Sequence, residues 1–206
     1  MNFDEKAKDW DKDPMRVERA AIFAGEIVKF LGDIKIENAL EFGSGTGLVS
    51  FCLKDHFKSI TLADNSEGMI RVLKEKIKNE RISNMKPLCV DIFKEIDLLS
   101  GYDILYTLLT LHHINDLSRI FGLFNSTLKP GGYLCIGDLV TEDGSFHYRD
   151  PEFDGHKGFD PEELKKQLIL NGFRIKSESI FYVIEREVNQ EIKQFPLFLL
   201  IGQKFI

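Results

Sequence analysis

Three closely spaced glycines follow an apolar run in this chain, with acidic residues on either side. The run Ala39-Leu-Glu-Phe-Gly-Ser-Gly-Thr-Gly-Leu48 stops in Gly43, Gly45 and Gly47. An apolar segment that ends in glycines before a helix is typical of a strand and a tight turn, whose bare backbone can approach a ligand. Asp64 lies 21 positions after Gly43, close to the offset of about 20 residues at which an acid meets ribose hydroxyls. These spacings predict a nucleotide-like ligand.

The register of the glycines narrows the class of nucleotide. A dinucleotide fingerprint has the form Gly-x-Gly-x-x-Gly, whereas this chain has Gly43-x-Gly45-x-Gly47 and places Leu48 where the third glycine would fall. Glu41 is a carboxylate two residues before the first glycine, which disfavours a pyrophosphate. A carboxylate at that position favours a cationic ligand.

The elements that hold these residues alternate between strands and helices. The predicted strands are Ile36 to Phe42, Ile60 to Ala63, Lys86 to Val90, Tyr102 to Thr107, Tyr133 to Asp138, Phe173 to Glu185 and Phe195 to Phe205. The main predicted helices run from Pro14 to Gly32, Leu48 to Phe57, Ser66 to about Asn79, Asn115 or Asp116 to Leu128, and Asp160 to Asn171. Such alternation requires a mostly parallel sheet with right-handed crossovers. The short return through Glu187 to Gln194 predicts that the last two strands form an antiparallel pair.

Five segments in this order resemble class I S-adenosylmethionine-dependent methyltransferases, and the likeness extends to small-molecule enzymes of methyltransferase types 11 and 12. The segments are Glu-Phe-Gly-Ser-Gly-Thr-Gly from Glu41, Leu-Ala-Asp-Asn-Ser-Glu-Gly-Met-Ile from Leu62, Cys-Val-Asp-Ile from Cys89, Tyr-Asp-Ile…Leu-His-His-Ile from Tyr102 to Ile114, and Leu-Lys-Pro-Gly-Gly-Tyr-Leu from Leu128. The resemblance spans about Ile36 to Gly137. It implies a doubly wound, Rossmann-like α/β fold with seven strands and a C-terminal antiparallel hairpin.

The resemblance also implies S-adenosyl-L-methionine as cofactor, S-adenosyl-L-homocysteine as product and a set of cofactor-binding residues. These are Glu41, Gly43, Ser44, Gly45, Thr46, Gly47, Asp64, Asn65, Met69, Asp91, Ile92, Thr107 and Leu108. Some of them have purely structural alternatives. Gly43, Gly45 and Gly47 could simply terminate a strand. Asp64 could be a solvated strand-end acid, Glu41 a structural acid paired with Arg19, and Asp91 the cap of a helix from Phe93 to Leu99.

Histidines and aromatic residues are the candidates for the acceptor side of the site. His112, His113 and His156 are candidate catalytic bases, and Trp10, His113, His147, Tyr148 and His156 are candidate substrate contacts. Trp10 is either a lid over the pocket or an anchor of the N-terminus. The stretch Thr141 to Phe159 has no periodicity, and irregular segments of this length are usually functional or disordered. Eight acids stand against Arg149 and Lys157 between Thr141 and Glu163, which hints at a neutral or cationic substrate or else a solvated face.

Composition makes several other classes of protein improbable as matches for this chain. With 206 residues and 43% hydrophobic residues, the chain is expected to form one domain, with a cap over 1–32, a cofactor-binding core over 33–140 and a substrate-side loop and hairpin over 141–206. The net charge of −6 disfavours nucleic acid as a partner. Cys52, Cys89 and Cys135 lie in apolar segments and are expected to be reduced core thiols; no metal site is expected.

The sequence therefore predicts a methyltransferase that acts on an O, N or S nucleophile of a small molecule. No membrane span or signal peptide is evident, so a cytoplasmic monomer or homodimer is expected. Two alternatives remain open: a protein that binds S-adenosylmethionine without transferring its methyl group, and a nicotinamide-dependent oxidoreductase. Leu48 in place of a third glycine disfavours the second.

Overall fold

The computed structural model describes residues 3–95, 99–148, 150 and 152–206. Its α-helices are α1 (Phe3–Lys6), α2 (Pro14–Leu31), α3 (Leu48–Leu53), α4 (Glu67–Asn79), α5 (Ile92–Glu95), α6 (Leu117–Thr127) and α7 (Pro161–Leu170). Its strands are β1 (Ile36–Phe42), β2 (Phe57–Asp64), β3 (Met85–Cys89), β4 (Tyr102–Leu108), β5 (Leu128–Leu139), β6 (Phe173–Val188) and β7 (Glu191–Lys204). A 3-10 helix of two turns covers Ala7–Lys12, and 3-10 helices of a single turn cover Leu111–His113 and Ser145–His147.

Side-chain caps start the longer helices where the sequence predicts. The carboxylates of Asp13, Asp116 and Asp160 accept from the backbone N–H groups of Met15, Arg119 and Glu162 at 3.0, 2.9 and 2.9 Å. Ser66 Oγ accepts from Met69 N at 3.1 Å at the start of α4. Each cap satisfies a helix N–H that would otherwise lack a partner, which stabilises the helix by about 1 kcal/mol.

The described strands form one sheet in the order β3-β2-β1-β4-β5-β7-β6. The first five strands are parallel, and β7 pairs antiparallel with both β5 and β6. The doubly wound α/β sheet with a C-terminal antiparallel hairpin is thus confirmed. The strand order reverses between β1 and β4, and ligands of open α/β sheets bind at the carboxyl ends of strands beside such a reversal.

Hydrophobic side chains cover both faces of the sheet, as a parallel sheet requires. On one face Phe23 of α2, Leu53 of α3 and Leu73 of α4 belong to a single buried cluster. On the other face α5, α6 and α7 contribute to a second cluster, with Phe124 and Leu168 fully buried. No helix among the described residues is long and apolar enough to span a bilayer.

Three expectations about element boundaries and thiols are wrong. The helix after the glycines ends at Leu53, not Phe57, since Phe57 already begins β2. The return between the last strands is only two residues long: Asn189 and Gln190 take φ of 52° and 70°, a left-handed pair that forms a tight hairpin turn. Cys135 is a buried free thiol, but Cys52 and Cys89 are exposed free thiols.

Candidate functional site

The glycine loop between β1 and α3 is held by the end of β2. Gly43 N and Ser44 N both donate to Ala63 O, at 2.9 and 3.1 Å. Asp64 accepts from Gly45 N at 2.7 Å through Oδ2 and from Ser66 N at 2.8 Å through Oδ1. The acid at the end of β2 therefore shapes the loop and the start of α4 while retaining further acceptor capacity, because a carboxylate offers about four lone-pair positions.

One side of this loop is open and carries polar groups without partners. Gly45 has φ of 53°, and a Cβ built on it would find no atom nearer than Met69 Sδ at 3.9 Å. The hydroxyls of Ser44 and Thr107 are buried and make no hydrogen bond with any described residue. Buried polar atoms are almost always hydrogen-bonded, so these two hydroxyls mark a place where a polar ligand would supply the missing partners.

Glu41 lies buried behind the loop, in contact with Ser50 of α3. Ser50 Oγ donates to Glu41 Oε2 and is 2.7 Å from the hydroxyl of Tyr106; Ser50 N also donates to Glu41 Oε2 at 3.3 Å. Burial raises the pKa of Glu41 to about 8, against the opposing effect of the Ser50 hydrogen bonds. The alternative pairing of Glu41 with Arg19 is not present, since Arg19 makes no ion pair with any described residue.

Residues 3–13, which we call the N-terminal segment, lie across the glycine loop and α4. Asp4 Oδ1 accepts from Ser66 Oγ at 2.5 Å and from Gly68 N at 2.8 Å. Asp11 accepts from Thr46 Oγ1 at 2.5 Å and pairs with Lys76 Nζ at 2.6 Å. Lys76 Nζ also donates to Thr46 O at 2.8 Å. Two acids thus fasten the segment to the elements that form the predicted cofactor site.

The aromatic residues of the N-terminal segment reach toward the histidines after β4. The Phe3 ring lies 5.9 Å from the Trp10 ring and 5.5 Å from the His113 ring, between centroids. Trp10 is partly buried, and the Arg16 guanidinium lies 3.9 Å from its centroid. Trp10 thus packs between Phe3 and Arg16, and its role as a lid or as an anchor stays a prediction.

His112 and Asp138 form a buried pair at the carboxyl ends of β4 and β5. His112 Nδ1 is 2.7 Å from Asp138 Oδ1, and His112 N donates to Asp138 Oδ2 at 3.2 Å. The two side chains are 2% and 0% exposed. A carboxylate beside Nδ1 favours the tautomer with the proton on that nitrogen, which leaves Nε2 as the proton-accepting atom.

His113, His147 and Phe153 pack around this pair. The His113 and His147 rings lie 4.2 and 5.2 Å from the His112 ring, and Phe153 stacks on His147 at 3.7 Å. Burial lowers the pKa of His113 to about 3 and that of His147 to about 4, and the neighbouring histidines add to both effects. These rings are therefore neutral at physiological pH.

The acids of the irregular segment after β5 mostly serve its own structure. Glu142 Oε2 accepts from Gly144 N and Phe146 N, at 2.8 and 3.0 Å. Asp143 pairs with Lys193 of β7 at 2.6 Å, and Asp160 caps α7. The hint of a neutral or cationic substrate therefore loses its main support; Arg149, which entered that charge comparison, lies outside the described residues.

The remaining predicted site residues make other contacts or are exposed. The His156 ring contacts Ile114 O at 3.0 Å and packs near Phe159, although His156 N donates to His112 O at 2.8 Å. Tyr148 and Asn65 are exposed. Asp91 accepts from Phe93 N at 3.0 Å and pairs with Lys94 at 2.9 Å, as the helix-cap alternative expects; the predicted helix from Phe93 to Leu99 includes residues 96–98, which lie outside the described residues.

Sequence reasoning missed residues that act on the site from distant parts of the chain. They are Asp4, Asp11, Ser50, Lys76, Tyr106 and Asp138. Asp138 had a usable signal, since it is an acid at the end of an apolar strand that neighbours β4. No group of three or more His, Cys, Asp or Glu side chains among the described residues could hold a metal ion.

Comparison with known proteins adds independent findings. Residues 40–136 match the model of the methyltransferase domain family. An uncharacterized methyltransferase of Schizosaccharomyces pombe is 31% identical over 161 residues, which cover 70% of this chain and 54% of that protein. A malonyl-[acyl-carrier protein] O-methyltransferase of Ilyobacter polytropus is 29% identical over 177 residues, covering 81% of this chain and 66% of that protein. The chain thus spans between about half and two thirds of these relatives.

A solved structure shares the fold across nearly the whole chain. The crystal structure of a SAM-dependent methyltransferase from Aquifex aeolicus superimposes with a TM-score of 0.71 over 98% of each chain, at 20% sequence identity. At this identity the likeness concerns the arrangement of strands and helices. That arrangement places the glycine loop, Asp64 and the His112–Asp138 pair at one edge of the sheet.

Proposed function

We propose that this chain, which belongs to the family of class I S-adenosylmethionine-dependent methyltransferases, transfers a methyl group from that cofactor to an O, N or S nucleophile of a small molecule. The observation that carries the proposal is the meeting of two sites at one sheet edge. The glycine loop with Asp64 is suited to the cofactor, and the His112–Asp138 pair is suited to a protonated acceptor.

The residues around the glycine loop fit the cofactor. Asp64 would accept hydrogen bonds from the ribose hydroxyls, using the carboxylate lone pairs that are not engaged by Gly45 N and Ser66 N. The unpartnered hydroxyls of Ser44 and Thr107 would hydrogen-bond its polar groups, and the open side of Gly45 admits it close to the backbone. When bound, S-adenosylmethionine supplies a methyl group already activated for displacement. The chain's own contribution is alignment and exclusion of water.

His112 would accept a proton where the acceptor arrives as a hydroxyl or phenol. Asp138 would accept a hydrogen bond from the Nδ1–H group of His112, which orients the ring and stabilises the imidazolium that forms. His113 and His147 are too weakly basic for that task, because burial keeps their pKa values near 3 and 4. These two rings, with Phe153, would instead enclose the acceptor and keep water out. The two relatives named above include an O-methyltransferase, which is consistent with an oxygen nucleophile.

Titration calorimetry with S-adenosylmethionine, S-adenosylhomocysteine and NAD tests the ligand class. We expect micromolar affinity for the first two and no binding of NAD; binding of NAD alone would overturn the proposal. Methyl release against a panel of phenols, carboxylic acids, amines and thiols then separates an enzyme from a protein that only binds the cofactor. Cofactor binding without turnover on any member would favour the binding protein.

The Asp138→Asn variant tests the role of the buried pair. The amide preserves shape but favours the wrong tautomer of His112, so kcat should fall by about 100-fold or more while the Kd for S-adenosylhomocysteine stays within about twofold. The loss should be smaller with a thiol acceptor, which ionises more readily than a phenol. An equal loss for both acceptors would assign Asp138 a purely structural role.

A further inference from the structure

Three arginines lie beside the histidine cluster, two on α2 and one on β6. The N-terminal half of α2 is at the carboxyl edge of the sheet, because the helix ends at Leu31 shortly before β1 begins at the opposite edge. Phe23 of α2 packs directly on Gly137 of β5, since a Cβ built on that glycine would lie 2.5 Å from the Phe23 ring. This contact shows which part of α2 lies over the end of β5. Arg19 and Arg16 lie one and two turns farther toward that edge.

Two of the arginines lie on aromatic rings that border the cluster. The Arg16 guanidinium lies 3.9 Å from the Trp10 centroid, and Arg16 Nη1 donates to Trp10 O at 3.3 Å. The Arg186 guanidinium lies 4.2 Å from the Phe146 centroid, and Arg186 Nη1 donates to Phe146 O at 2.5 Å. Phe146 in turn lies 5.0 Å from the His147 ring. Stacking fixes both cations at the border of the proposed acceptor site.

Arg19 differs from its two neighbours because it has no direct partner. It is partly buried and makes no hydrogen bond or ion pair with any described residue. Burial above all, together with the charges of Arg16 and Arg186, lowers its pKa to about 10, while Asp13 opposes this shift. A guanidinium removed from water among like charges is costly unless an anion accompanies it.

The nearby acids are already engaged. Asp13 Oδ2 is 3.3 Å from Arg16 Nε, while its Oδ1 caps α2. Glu18 accepts from the Tyr182 hydroxyl at 2.7 Å, which fastens β6 to α2. Both carboxylates are thus directed to Arg16, the helix or Tyr182. Neither forms an ion pair with Arg19.

We propose that Arg16, Arg19 and Arg186 bind an anionic group of the methyl acceptor, a carboxylate or a phosphate, while the acceptor's apolar body lies against the histidine and aromatic cluster. Guanidinium groups suit this task because they bind both anions with paired, parallel hydrogen bonds. The inference rests on the proposed function for the role of the ligand as acceptor. The binding of the anion itself requires neither cofactor nor turnover.

Titration with benzoate, phenyl phosphate and benzamide tests the inference directly. Trp10 is the only tryptophan of the chain and lies under Arg16, so its emission reports occupancy. At least one of the two anions should bind about tenfold or more tightly than the neutral amide, and which one does so distinguishes carboxylate from phosphate. Equal affinity for all three probes would overturn the inference.

The Arg19→Gln variant should abolish this preference while leaving benzamide affinity unchanged. Arg174→Gln is the matched control, because Arg174 lies on the far part of β6, is exposed and contacts Phe205. An equal loss in both variants would show a general charge effect and refute a specific site. Should Arg19→Gln fail to fold, Arg19→Lys replaces it, because lysine keeps the charge but cannot make two parallel hydrogen bonds to an anion. A loss of about threefold or more in anion affinity supports binding by the guanidinium, and no loss contradicts it.

Calorimetry with S-adenosylhomocysteine separates the two proposals. A protein that binds this ligand but shows no preference for anions retains the proposed function and loses the inference. A protein that prefers anions through Arg19 but does not bind S-adenosylhomocysteine retains the anion site and loses the proposed function.

Discussion

Glu41 keeps its proton at neutral pH, because it is buried and its pKa is about 8. A carboxyl group whose pKa is raised by folding stabilises the protein fully below its unfolded value of 4.5, and this contribution is lost as the pH rises through 8. The reason is that Glu41 ionises at a lower pH in the unfolded state than in the folded state. As the pH rises above 4.5, ionisation therefore lowers the free energy of the unfolded state alone.

We expect Glu41→Gln to remove this alkaline loss. The amide cannot ionise and still accepts from Ser50, so between pH 5 and 8 the wild type should lose on the order of 3 kcal/mol more than the variant. Urea unfolding at both pH values measures the difference. Parallel pH profiles for the two proteins would place the pKa of Glu41 near its ordinary value.

Asp64 is expected to serve both cofactor affinity and the local backbone. Asp64→Ala should weaken S-adenosylhomocysteine binding by about 1–2 kcal/mol, because a charged acceptor is lost, and should also lower stability, since Gly45 N and Ser66 N lose their partner. Calorimetry and urea unfolding measure the two effects. Asp116→Ala is the control, because Asp116 also accepts from a helix N–H but lies outside the predicted cofactor residues; equal losses of affinity in both variants would contradict the assignment.

At the scale of elements, the N-terminal segment is the piece whose attachment can be altered separately from the sheet. Asp4 and Asp11 make its polar contacts with the glycine loop and α4. Replacing both with alanine should raise the dissociation rate of S-adenosylhomocysteine by about tenfold, as expected when a covering segment is loosened. Stopped-flow displacement measures this rate.

Asp9→Ala provides the matched control for that experiment. Asp9 belongs to the same segment, but among the described residues it pairs only with the exposed Lys12, at 2.6 Å. Its removal should leave the dissociation rate unchanged. A similar rate for wild type, double variant and control would mean that the segment does not restrict the ligand.

The sequence located most elements because their signals are local. A few neighbouring residues suffice to predict the cap at Asp13, the glycine loop and the apolar strand β4. The hairpin was predicted, but its return was drawn too long because Gln190 carries no turn signal, although it takes a left-handed conformation. The length of β2 was missed because Phe57 to Ser59 mixes apolar with polar side chains.

At the scale of the whole molecule, the buried histidines affect the pH dependence of stability in the direction opposite to Glu41. A histidine whose pKa is lowered by folding contributes stability above its unfolded value of 6.5, and that stability is lost as the pH falls through the folded values of about 3 and 4. The histidines thus favour loss of stability on the acid side, and Glu41 favours loss on the alkaline side.

Replacing His113 and His147 with asparagine should therefore flatten the acid side of the stability profile. The free energy of unfolding between pH 6.5 and 4 should fall less in the double variant than in the wild type, as measured by urea titration. His56→Gln is the control, because His56 is exposed. If the control flattens the profile equally, burial of the cluster is not its cause.

The candidate site was only half visible in the sequence for a physical reason. Residues of the cofactor side lie on strand ends that follow one another along the chain, so spacing reveals them. Asp4 and Asp138 come to the candidate site through contacts between residues far apart in sequence, which no local pattern reveals.

The position of the N-terminal segment has a kinetic consequence. Because its acids grip the glycine loop and α4 while Phe3 reaches His113, a ligand of the loop would exchange with solvent only when this grip opens. Cofactor would then enter before acceptor, and spent cofactor would depart last, giving an ordered sequence of events. The Lys76–Asp11 pair is only partly buried, so added salt should shorten the residence time of the spent cofactor.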